Sequence, residues 1–205
     1  MAIHHLEAPN RQDDVMPPAL VCLPGAEVEL LVLAAGRRVC AAVDLGSGTL
    51  VQAYWQEPAE PFPPMAVVRG QVAGDEGGFD PVRPEAVALA GAPSPTGEMS
   101  RRRAERLLRP LMHPQDEHLL GFPGPSIPYW DLAGDRPSVA VVTPPSRIIV
   151  LGDRCRFWWR RLHHELPILP TARAWAPARP RRLVLTLSAP RQGRCYKVVA
   201  GLLPG

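Results

Sequence analysis

Short apolar runs alternate with clusters of proline, glycine and polar residues along the whole chain. Runs at 28–33, 38–45, 49–55 and 65–73 are rich in β-branched and aromatic residues. Ala35-Gly36 and Gly46-Ser47-Gly48 separate the first three, and turn-formers of this length predict a β meander. A loop at 74–84 leads to a short strand at 85–89, and the first unit closes near residue 92. Residues 92–97 read as a Pro/Ser/Gly linker. Leu107, Leu108 and Leu111 then recur at helical spacing behind Ser100, a plausible N-cap, which predicts one helix over 101–109, ended by Pro110 and Pro114. A second set of strands follows at 138–143 and 147–151, turns at Gly152-Asp153 into 154–162, and finishes at 182–188 and 194–203 around a turn at 189–193. The expected architecture is mainly β: a mobile arm over 1–18, a first β meander, a linker with one short connecting helix over 93–114, and a second β meander, in one domain or as two small barrels.

Composition supports that outline. Hydrophobic residues make up 46% of the chain and charged residues 21%, a balance that buries a core. The 26 prolines exclude long helices and favour short strands joined by stiff loops. No stretch approaches the ~18 apolar residues of a membrane span, and residues 1–10 lack a basic region followed by an apolar run, so a soluble cytoplasmic protein is expected. Cys22, Cys40, Cys155 and Cys195 are too scattered for a zinc ribbon or a dense disulfide framework, and read as buried reduced thiols.

Charge divides the two halves. Residues 1–100 carry 5 Lys and Arg against 13 Asp and Glu, whereas residues 101–205 carry 18 against 7. From Ser146 onward the count is 12 to 2, and every cation there except Lys197 is arginine. Such clustering is the signature of a surface that meets an anionic partner, because arginine forks onto phosphate and stacks on bases. Coding bias toward arginine explains the choice of residue but not its clustering.

The strongest local pattern is Arg154-Cys155-Arg156-Phe157-Trp158-Trp159-Arg160-Arg161. On a strand, Arg154, Arg156, Trp158 and Arg160 share one face, while Cys155, Phe157, Trp159 and Arg161 share the other. A face with three arginines around a tryptophan suits single-stranded nucleic acid, the bases stacking on the ring and the phosphates meeting the guanidinium groups. The bland alternative is a half-buried strand whose arginines are merely solvated. Arg191, Arg194 and Lys197 in the last hairpin extend the candidate surface. The loop at 120–130, with Phe122, Tyr129 and Trp130 among prolines, reads as a packed lid or a binding loop. His163 and His164 are neighbours on a strand and face opposite ways, so no metal site is expected there. Neither a nucleophile elbow nor the Lys-Ser/Thr end of a phosphate loop occurs, and the expected function is non-catalytic, with no cofactor.

Two likenesses accompany these readings. Residues 42–49 resemble the first phosphate loop of the actin and heat-shock ATPase superfamily, but over eight residues in a chain too short for its two lobes, so an ordinary hairpin with a glycine turn is expected. More extensively, residues 28–203 resemble the dual OB-fold domain family, bacterial proteins of two tandem OB-type barrels often encoded near conflict or DNA-repair systems. The pieces are 38–45 with Gly48 and Tyr54-Trp55, 65–68, Arg83-Pro84-Glu85, 138–142, 154–161, 185–188 and, most specifically, Tyr196-Lys197-Val198-Val199-Ala200. An Arg-Pro pair after the second strand is absent, Gln52-Ala53-Tyr54-Trp55 standing there instead. The resemblance implies two tandem OB-like small barrels, over 19–92 and 115–205, nucleic-acid binding and a protein partner encoded nearby; the acidic first barrel is then expected to serve packing or protein contact. The rival expectation is a protein-interaction subunit that docks its Arg-rich face on an acidic partner.

Overall fold

The computed structural model describes residues 23–74, 83–132 and 136–205. The arm expected over 1–18, Cys22 and most of the 74–84 loop lie outside the described residues. In the first barrel, β1 (Glu27–Ala35) pairs with β2 (Val39–Asp44) on one side and with β4 (Ala66–Gln71) on the other. β3 (Leu50–Tyr54) pairs with β2, β5 (Ala86–Ala88) runs parallel to β3, and a Val72–Leu89 bridge joins the ends of β4 and β5. The closed order is 1-2-3-5-4-1, that of an OB-type barrel. The Asp44 carboxylate accepts hydrogen bonds from the Gly46 and Ser47 amides and the Ser47 hydroxyl at 3.2, 3.0 and 2.6 Å, so this acid closes its own glycine turn.

The stretch read as a linker differs from expectation, because Ser94–Glu98 forms β6 on the outer edge of β4. Every residue of β6 is exposed, and Pro95 is tolerated there because an edge strand can leave an amide unpaired. With no apolar face, such a strand has no periodic signature. Helix α1 (Arg101–Leu108) follows, one residue shorter than predicted. Ser100 occupies the N-cap through its backbone, its carbonyl accepting the Arg103 and Ala104 amides at 3.0 Å, without a side-chain cap.

The second barrel repeats the plan. β8 (Val139–Val142) pairs with β12 (Arg182–Leu187), β12 with β13 (Arg194–Leu203), and β13 meets the end of β11 (Leu162–Pro167) in parallel through Ile168 and Val199. β11 pairs with β10 (Arg154–Trp159) and β10 with β9 (Ile149–Leu151). β8 and β9 are thus two halves of one first strand, interrupted at 143–148, and the order is again 1-2-3-5-4-1. Between the third and fourth strands lies α2 (Pro170–Ala174), with Pro170 in its first turn, a helix too short to leave a periodic trace. β7 (Ser126–Pro128), from the 120–130 loop, adds to the start of β13. In that loop Phe122 is buried while Tyr129 and Trp130 are exposed, so it both packs and presents aromatic surface.

The barrels are fused, sheet against sheet. Beyond Leu30, β1 is buried on both faces: Leu30 and Val32 point into the first barrel, whereas Leu31 and Leu33 join Val139, Val141, Val184, Ala200 and α1's Ala104 and Leu108 in a core between the units. At Gly201 a Cβ would sit 2.8 Å from the Ala34 Cβ and 2.9 Å from the Leu33 carbonyl oxygen, an approach only glycine permits. Glu85 reaches across to Ser138, accepting from its amide at 2.9 and 3.1 Å and from its hydroxyl at 2.6 Å, and burial holds the Glu85 carboxyl above its ordinary value against these hydrogen bonds. Gln52 donates to Thr186 at 3.2 Å in the same seam, and Arg182 ties β12 to Glu105 of α1. Cys40, Cys155 and Cys195 are buried, and desolvation pushes the Cys40 and Cys155 thiols up to about 12. Among the described residues no helix is long and apolar enough to cross a membrane.

Candidate nucleic-acid interface

β10 is built by two two-residue hairpins. Gly152, at φ +59°, opens the first, in which Arg154 pairs with Leu151. The second is Arg160-Arg161, at φ 48° and 62°, with Trp159 opposite Leu162. Left-handed conformations suit Asn or Gly, and arginine there costs of order 1 kcal/mol per residue, a strain that places two guanidinium groups at the hairpin tip. Arg160 therefore belongs to the turn and not to the strand face, and Arg161, expected inward, is exposed. The strand ends earlier than predicted because the tip needs both residues.

Along β10 itself the alternation is as expected, with Arg154, Arg156 and Trp158 exposed and Cys155, Phe157 and Trp159 buried. Trp158 is 49% exposed, whereas Trp159 is 1% exposed and its indole Nε1 donates to the Glu117 carbonyl at 2.8 Å. Cross-strand pairing arranges the outer face in rows: Leu151, Arg154 and Pro167; Ile149, Arg156 and Glu165; then Trp158 and His163. The Trp158 and His163 rings meet edge to face at 5.7 Å. Arg156 is held by Glu165 at 2.6 Å, so its charge is neutralised locally, whereas Arg154 has no carboxylate partner among the described residues. Ile149 and Leu151 are nearly half exposed, which gives the face an apolar component beside its arginines.

The last hairpin contributes less than expected. Lys197 is 1% exposed; its Nζ donates to the Phe122 carbonyl at 2.6 Å and lies 3.9 Å from the centre of that ring. Desolvation lowers its pKa to about 8. A phosphate on the surface cannot reach it, and Lys197 is removed from the candidate interface. Strand alternation carried the signal, because Lys197 shares its face with buried Cys195 and Val199. Arg194 is half-buried and donates to the Ser126 hydroxyl and carbonyl at 3.0 and 3.3 Å, bracing β7. Arg191 is exposed on the 189–193 turn, where the Trp130 ring packs against Gly193.

His164 stacks on Phe157 at 5.6 Å while His163 faces outward, as adjacent strand residues must. His118 and His164 are both held below the ordinary histidine value, first by desolvation and then by neighbouring cations, Lys197 for both and Arg160 for His118. Beside Trp158 the sheet runs into a further feature that local patterns did not reveal. Where β9 has ended, the Trp158 amide donates to the Ser146 hydroxyl oxygen at 3.0 Å, and Ser146 borders a cleft of about 420 Å³ that also receives Arg147, Arg179 and Arg181. These arginines come from segments some thirty positions apart, and only barrel closure brings them together. Comparisons with protein-family models, curated proteins and solved structures returned no match.

Proposed function

We propose that this chain is a non-catalytic, cytoplasmic nucleic-acid-binding module that favours single strands and uses the outer face of β9–β10–β11. The observation that carries the proposal is the half-exposed Trp158, braced by His163, beside Arg154, which has no carboxylate partner among the described residues. In an OB-type barrel this is the second-and-third-strand face, flanked by the hairpin at Gly152-Asp153 and the turn at 189–193, which is where barrels of this topology hold oligonucleotides. A base offers the Trp158 ring a flat partner, Ile149 and Leu151 extend the apolar platform, and Arg154, Arg160 and Arg191, exposed and without a carboxylate partner among the described residues, can meet phosphates. The dual OB-fold resemblance agrees with this reading and adds the expectation of a partner encoded nearby.

The test is a salt titration of the full chain against single- and double-stranded DNA and RNA of equal length. Tighter binding to single strands, with a log-log salt slope of about −0.7 per phosphate contacted, is expected. Affinity that ignores salt, or that favours duplex, overturns it. A second reading is supported by one observation: Ile149 and Leu151, nearly half exposed, leave this face unusually apolar for a solvated sheet. On that reading the same surface docks an acidic partner protein, and single strands would fail to compete with the partner.

A further inference from the structure

We infer that the cleft between residues 143–148 and 178–181 is a phosphomonoester subsite, which takes the terminal phosphate of a strand lying on Trp158 or the phosphate of a free nucleotide. The inference rests in part on the proposed nucleic-acid reading, since a strand end is one of its two sources. Arg147, Arg179 and Arg181 all line the cleft, no carboxylate does, and none of the three has an acidic partner among the described residues. Three arginines line one cleft whose walls carry no carboxylate, and a lining of this kind suits an anion that brings more than one charge. A phosphodiester brings one; a phosphomonoester, with its second ionisation near pH ~6, brings close to two at neutral pH and offers three acceptor oxygens to forked donors.

The walls also fit. Pro144, Pro145 and Pro180 restrict the backbone that carries the arginines, and the Arg181 amide is fixed to the Leu203 carbonyl at 2.9 Å, so little ordering remains to be done on binding. Ser146 accepts the Trp158 amide proton through its oxygen, which leaves its own O–H free to donate to a phosphate oxygen. The same hydroxyl therefore links the stacking strand to the anion subsite. At about 420 Å³ the cleft has the capacity of a single small ligand and not of a length of backbone. The interruption between β8 and β9, which would otherwise be one continuous strand, is what opens it.

The test uses the full chain and a labelled single strand in three forms, carrying a 5′-phosphate, a 3′-phosphate or hydroxyls at both ends, with a nucleoside monophosphate as competitor. A terminal phosphate is expected to tighten binding by about ten-fold, and Arg179→Ala with Arg181→Ala is expected to abolish that gain while hydroxyl-ended strands bind within about three-fold of wild type. Should the double variant lose its fold, Arg147→Lys, which keeps charge but loses the fork, is expected to remove most of the preference. If the nucleoside monophosphate binds as tightly as the phosphorylated strand, free nucleotide is the source. If it binds while no strand does, the subsite stands and the single-strand reading falls. Hydroxyl-ended and phosphorylated strands binding equally, with no competition by the monophosphate, overturns the subsite alone; no binding of any kind overturns both.

Discussion

Replacing Trp158 and Trp159 one at a time separates a binding face from a core. Trp159 is 1% exposed and surrounded by the second barrel's core, so Trp159→Ala leaves a cavity and strips the Glu117 carbonyl of its donor. A cost of about 3–5 kcal/mol is expected. Trp158 is 49% exposed, so truncation removes roughly half of a tryptophan's area from contact, on the order of 100 Å², which at ~25 cal/mol per Å² is at most about 2.5 kcal/mol. His163 can relax across the gap, and about 1 kcal/mol is the expected net loss. With a urea dependence of roughly 2 kcal/mol per molar, the unfolding midpoint should fall by about 2 M for Trp159→Ala and by about 0.5 M for Trp158→Ala. Oligonucleotide affinity should behave in the opposite way: Trp158→Ala should lose about 1–3 kcal/mol of binding, which is roughly 5- to 150-fold in Kd, when measured below the unfolding transition. The reasoning is refuted if Trp158→Ala destabilises as much as Trp159→Ala, or if it leaves strand affinity unchanged. Either result would leave Arg154 and its neighbours without a reason to form a binding face.

Two further outcomes concern the fold. Gly201→Ala should cost about 1–3 kcal/mol in chemical denaturation, because its Cβ would lie 2.8 Å from Ala34 across the seam between the barrels; a neutral result would mean that the seam yields freely. Lys197, with an ordinary pKa of 10.5 and a folded value of about 8, sheds its proton earlier in the folded chain than in the unfolded one, so its contribution to stability rises as pH climbs through that window. Cys40 and Cys155, raised to about 12, oppose this above pH ~9, which makes the difference between wild type and Lys197→Met the informative quantity. That difference should move in favour of wild type by about 1 kcal/mol between pH ~8 and ~9, and parallel stability curves would show that the ammonium is not desolvated.

What the amino-acid sequence determined by itself was whatever a strand's period of two can encode. The alternation of Arg154, Cys155, Arg156, Phe157, Trp158 and Trp159 set which side chains meet solvent, and Gly152-Asp153 set where that strand begins, because both depend on a few adjacent residues. The helix at Arg101–Leu108 was legible for the same reason, through its leucine spacing and the prolines that end it. Lys197 was legible too, had charge not been weighed above alternation. Tertiary structure alone decided the rest. β6 has no apolar face and exists because β4 offers it an edge. The near-continuous burial of β1 says that two cores are present, but only packing assigns Leu31 and Leu33 to the seam with the second barrel. The arginines of the cleft stand on either side of a chain reversal, and no local period relates residues 143–148 to 178–181. Local sequence encodes facing, because side-chain direction follows from backbone geometry; which core a face meets, and which cations share a cavity, follow from pairings between distant strands that no short window contains.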